Sequence, residues 1–114
     1  MRLMLRGIYQ REGMLWFYLV LENRGALAFS PDFLRGSIRQ GRHLKRMAVQ
    51  ELPVELVYDH LPSTVGSGSE QAVMVGMRPM SMAKDKQLVV QMGERDEGRQ
   101  LQLAISSHLL LKAK

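Results

Sequence analysis

The sequence predicts an all-β domain, an antiparallel β-sandwich of immunoglobulin-like type with 7–8 strands. Three observations carry this prediction. Apolar or alternating segments of five to nine residues recur along the chain, each bounded by glycine, proline or short polar residues. Gly36 and Gly41 fall in segments that would otherwise read as helix, and each costs roughly 1 kcal/mol in a helix interior. Hydrophobic residues make up 46% of the 114 residues. A single open sheet would leave too much of that surface exposed, whereas two facing layers bury it.

The first pair of segments reads as a hairpin. Residues 2–10 and 14–22 flank Arg11, Glu12 and Gly13, and the glycine is free to take the positive φ that a tight turn needs. In the second segment Leu15, Phe17, Leu19 and Leu21 share one face, and Met14, Trp16, Tyr18 and Val20 share the other. A strand apolar on both faces sits centrally or has its second face covered. If Met14, Trp16 and Tyr18 are left uncovered, they form a patch for another chain.

Asn23, Arg24 and Gly25 close that strand, and Ser30, Pro31 and Asp32 mark the next turn. Residues 33–40 and 43–51 read as a second hairpin about Gly41 and Arg42. Pro53 is expected to break the chain before a strand over 54–58. Residues 60–70, rich in glycine, serine and proline, read as a long mobile loop. Strands are expected over 71–77, 87–92 and 99–106, the last with Leu101, Leu103 and Ile105 pointing one way. No amphipathic helix is expected. The length fits a single domain over residues 1–114.

Composition excludes several classes. Cysteine is absent, so there is no disulfide, Fe–S cluster or cysteine-ligated zinc. The longest apolar run, residues 14–21, is far short of the roughly 20 residues a spanning helix needs. The N-terminus shows no signal-peptide pattern. A net charge of +5 permits acidic partners, nucleic acid included, without selecting one.

The chemistry-bearing residues are dispersed. His43, His60 and His108 have no metal-like spacing, and no serine lies in a nucleophile-elbow pattern. No enzymatic activity and no cofactor are expected. Met74, Met77, Met80 and Met82 fall within nine residues. Thioethers at such spacing can hold Cu(I), but core filling or an adaptable contact surface is the stronger reading. Between Phe33 and Gln50 the chain carries Arg35, Arg39, Arg42, Lys45 and Arg46 and no carboxylate. A cationic hairpin of this kind suits nucleic-acid phosphates, an acidic protein partner, or plain solvation. No aromatic residue is interleaved for base stacking, which ranks protein contact or solvation ahead of nucleic acid.

Several segments resemble the conjugative-transposon protein TraN family of Bacteroides-type elements. The matching residues are Gly7, Ile8, Tyr9, Phe17, Leu19, Leu21, Asn23 and Arg24, then Asp32, Phe33, Leu34, Arg35 and Ile38. The run from Lys45 through Arg46, Ala48, Gln50 and Glu51 is similar to the family's KRTA-x-QE, with Met47 in place of threonine. Tyr58, Lys86, Leu88, Gly98, Arg99 and Leu101 extend the likeness over nearly the whole chain. The resemblance implies a structural, non-catalytic component of a conjugative type IV secretion apparatus. It would be the C-terminal domain of a longer exported protein, periplasmic or associated with the outer membrane. It would act through contacts with other channel proteins in a ring-forming oligomer. The unbalanced charge of residues 33–50 suits that role, with Arg35, Lys45 and Arg46 expected to pair with a neighbour's carboxylates. The competing expectations are a nucleic-acid-binding module built on the cationic hairpin 33–50 and a secreted adhesin-like β-sandwich.

Overall fold

A computed structural model describes residues 1–40, 51–95 and 98–114. The elements, in order, are β1 (Arg2–Arg11), β2 (Met14–Asn23), β3 (Phe33–Gln40), β4 (Glu51–Val54), β5 (Tyr58–His60), β6 (Ser69–Met77), β7 (Lys86–Gly93), β8 (Gln100–Ser106) and a single-turn helix, α1 (Ser107–Leu110). They form two four-stranded sheets, β1-β2-β6-β5 and β4-β3-β7-β8, with every pair antiparallel. Relabelled A to G with β4 as C′, the orders are ABED and C′CFG, the connectivity of an immunoglobulin-like sandwich. No described helix is long and apolar enough to cross a membrane.

The alternation in β2 sets the layers. Leu15, Phe17, Leu19 and Leu21 are buried against Val73, Val75 and Met77 of β6 and against Leu88, Val90 and Met92 of β7. Leu3 and Ile8 of β1 and Ile105 of β8 close the core at its side. Each side chain of this size contributes about 1.5–3 kcal/mol when it leaves water. Glu12 and Gly13 take φ of 55° and 73° in the two-residue β1–β2 turn. Two positive φ values match the right-handed strand twist as ordinary turns do not.

Three expectations need correction. Pro53 does not stop a strand; it lies inside β4. Because β4 is the outermost strand of its sheet, proline's missing N–H removes no ladder bond that the sheet needs. Residues 54–58 are not one strand either. The chain crosses there from the second sheet to the first, leaving β4 at Val54 and entering β5 at Tyr58. The stretch 60–70 is pinned rather than loose: Phe29 and Val65, both fully buried, bond each other's backbones at 2.9 and 2.7 Å. The side chain of Asn23, wholly buried, donates to the carbonyls of Leu27 and Val65 and accepts from the N–H of Gly25. Of the strand expected over 43–51, only its last residue lies among the described residues.

Candidate functional site

The register of the first sheet sorts its outward residues into cross-strand rows. Arg2, Glu22 and Glu70 stand opposite one another at one end. Met4, Val20 and Ala72 form the next row, then Gly7, Tyr18, Met74 and His60, then Tyr9, Trp16, Gly76 and Tyr58. Arg11 and Met14 end the face at the hairpin. Between two charged ends the outer face is therefore a band of aromatic and thioether side chains. Tyr18 and Tyr58 keep 38% and 46% of their surface exposed.

Two glycines shape the band. A Cβ on Gly76 would stand 2.7 Å from Trp16 Cζ3 and 3.1 Å from Met14 Cε, so both side chains lie across the bare backbone of β6. The indole spans that strand to meet Tyr58 edge-on, centroids 5.5 Å apart at 66°. Its Nε1 donates to the Arg11 carbonyl at 3.3 Å. A Cβ on Gly7 would stand 2.6 Å from the Tyr9 hydroxyl, so that ring lies over β1. The Arg11 guanidinium stands 5.9 Å from the centre of the same ring. Tyr9, Trp16 and Met74, with Arg11 and Glu12, line a shallow cavity of about 410 Å³.

Met14, Trp16 and Tyr18, singled out in the sequence, thus belong to one surface, with Met14 and Trp16 half-buried and Tyr18 exposed. Sequence reasoning missed Tyr9 and Tyr58 as members. The alternation of residues 2–10 carried the signal for Tyr9, but a bulge between Leu5 and Gly7 shifts the register. Tyr58 arrives only through the crossover between sheets. The four methionines separate: Met77 is in the core, Met80 and Met82 pack against it, and Met74 faces outward. They do not form one thioether site.

Two cations of the hairpin, Arg35 and Arg39, have partners within the chain. The Arg35 guanidinium stacks on Phe33 at 4.4 Å from the ring centre. Arg39 donates through Nε (2.7 Å) and Nη2 to Oε1 of Glu51, its opposite number on β4. That carboxylate lies just past the run read as free of acids. Arg42, Lys45, Arg46 and His43 lie outside the described residues. His60 and His108 are exposed on different elements, β5 and α1. Among the described residues no group of three histidine, aspartate or glutamate side chains gathers to hold an ion.

The strongest electrostatic perturbation among the described residues lies away from the aromatic band. Glu94 is held down to about 2, chiefly by the Arg99 guanidinium that donates to it, with backbone N–H groups of Ser30 and Arg99 adding and partial burial opposing. Arg99 also donates to the Ala28 carbonyl and stacks on Phe29 at 5.3 Å. Arg95 pairs with Asp32 alongside at 3.1 Å. This cluster ties the β7–β8 turn to the connection between the two sheets.

Residues 1–114 match a family model described as a domain of unknown function, DUF4138. No curated protein matches the chain.

Proposed function

The chain belongs to the DUF4138 family, and from that premise we propose that it is a structural component of a conjugative type IV secretion apparatus. It works through protein–protein contacts at the outer membrane and performs no reaction of its own. The resemblance to TraN-type sequences supports the choice of machine and, with it, a periplasmic or outer-membrane-associated setting. The observation that carries the contact role is the band of Tyr9, Trp16, Tyr18, Tyr58 and Met74 on the first sheet, with its two exposed tyrosines. Tyrosine and tryptophan anchor protein interfaces because they bury large areas at low conformational cost. Methionine adapts to the partner's shape. The intramolecular partners of Arg35 and Arg39 favour this reading over phosphate contact.

The test is conjugative transfer from donor cells whose full-length protein carries Tyr18→Asp and Tyr58→Asp together. Both side chains are exposed, so the variant is expected to accumulate to normal levels. Transfer should fall by about tenfold or more, the scale set by losing one interface anchor. Channel proteins that co-purify with the wild type from donor envelopes should be lost. Normal transfer with unchanged co-purification would refute the assignment.

A further inference from the structure

We propose that the edge of β1 beside α1 is a second contact site, which captures an acidic extended peptide segment of another protein by adding it as a strand. The site adjoins the aromatic band at Tyr9, which lines both, but its backbone edge and cations are its own, and it stands whether or not the band binds a neighbour.

β1 is an outermost strand of its sheet, so half of its backbone groups face away from β2. The register shift between Leu5 and Gly7 leaves Arg6 without a partner on β2. The extra residue of a bulge keeps its own backbone groups unpaired. The chain already seats one residue of its own on this edge. Lys114 N donates to the Ile8 carbonyl at 2.9 Å, and Gln10 N donates to the Lys114 carbonyl at 2.8 Å. Two bonds to the residues flanking Tyr9 are the pattern of a parallel bridge, so this edge accepts extended backbone.

The side chains define what kind of segment fits. A cleft of about 240 Å³ runs between β1 and α1, with Leu5, Ile8 and Leu109 as its apolar floor and Arg6, Lys112 and Lys114 at its rim. No carboxylate lines it. These three cations form no ion pair among the described residues. Side chains of an extended segment alternate. A segment alternating apolar and acidic residues therefore sets apolar groups on the floor and carboxylates at the rim. Strand addition of this kind takes affinity from main-chain bonds and specificity from alternate side chains.

The experiment uses fluorescence anisotropy of short labelled peptides against the intact chain. The probes are an alternating Glu-Leu peptide, its Lys-Leu counterpart, and a Glu-Leu peptide of equal charge carrying prolines, which cannot pair as a strand. Phosphatidylglycerol vesicles serve as a purely anionic surface. The Glu-Leu peptide should bind, and both other peptides should bind at least about tenfold more weakly. Arg6→Glu with Lys112→Glu, both exposed positions, should weaken Glu-Leu binding by a similar factor with the far-UV spectrum unchanged. Lys112→Gln should have a smaller effect in the same direction. Equal binding of the proline peptide would reduce the site to charge alone. That result, equal binding of the basic peptide, binding to vesicles only, or no peptide binding would each overturn the proposal.

Discussion

Asn23 concentrates a large consequence in one side chain. It ends β2 wholly buried, and its amide donates at 2.9 and 3.0 Å to carbonyls of Leu27 and Val65 while its oxygen accepts from Gly25 at 2.9 Å. Removing it takes one donor from the Leu27 carbonyl, one acceptor from the Gly25 N–H, and the second donor from the buried Val65 carbonyl, which keeps only the Phe29 N–H. Asn23→Ala should therefore cost about 1–3 kcal/mol for the groups stranded. Asn23→Asp is the sharper probe. The carboxylate keeps the Gly25 bond but sets a buried charge against two carbonyl oxygens and has no proton to give them. Near neutral pH it should be less stable than the alanine variant. Burial and the two carbonyls raise this carboxyl's pKa, so the penalty shrinks as falling pH restores a donor. Urea midpoints of both variants across pH check this; an aspartate variant that tracks the alanine variant at every pH would contradict it. In the sequence, Asn23 reads as a turn residue and nothing more. Val65 is 42 positions away, a separation that no local pattern spans.

The strands themselves were largely legible, because period-two alternation and turn residues are local signals. The β1–β2 hairpin follows from Gly13 and the apolar run after it, and β3, β6, β7 and β8 lie within two residues of their expected spans at either end. The crossover at 54–58 was not legible. Val54, Leu56 and Tyr58 alternate like a strand, yet the first ends one sheet and the last begins the other. Alternation reports that a side chain is half-covered, and it does not report which layer covers it. The packing of an aromatic over a glycine was hidden for the same reason, since Trp16 and Gly76 meet only through the β2–β6 register. Gly76→Ala should force the indole off the strand and cost about 1–3 kcal/mol, the range for an overpacked site. The ring is fixed by Tyr58 and by the Arg11 carbonyl, so it has little room to yield. In a Trp16→Ala background the same substitution should cost much less, because the obstructing ring is gone. Denaturation of all four combinations, with indole emission reporting the ring's position, decides the matter. Equal costs in both backgrounds would show that Gly76 is needed for some other reason.

At the scale of the molecule, the two outer faces differ in chemistry. The first carries the aromatic and thioether band. The second carries rows such as Arg35, Gln91 and Gln102, with Gln91 donating to Gln100 at 2.8 Å. The patch of Met14, Trp16 and Tyr18 could be foreseen, but its extension to Tyr9, Tyr58 and Met74 depends on strand order, which the sequence does not encode locally. At one end the cluster around Glu94 ties the β7–β8 turn to the connection between the two sheets, and the stability of the sandwich is therefore expected to depend on pH. The Glu94 carboxyl sits at about 2 in the folded chain against an ordinary 4.5. A lowered folded value means that the ionised form is favoured by folding. Its stabilisation is complete above the ordinary value and is lost as pH falls from 4.5 through about 2. Arg99 is raised above its ordinary value and stays charged throughout, so within this pair the carboxylate is the group that titrates. Wild type and Glu94→Gln should therefore differ in thermal midpoint by a constant amount near neutrality. The gap should close as pH drops through that window, and added salt should narrow it at neutral pH because the pair is exposed. A gap that stays constant down to the acid limit would mean that Glu94 acts through the geometry of its hydrogen bonds and not through its charge.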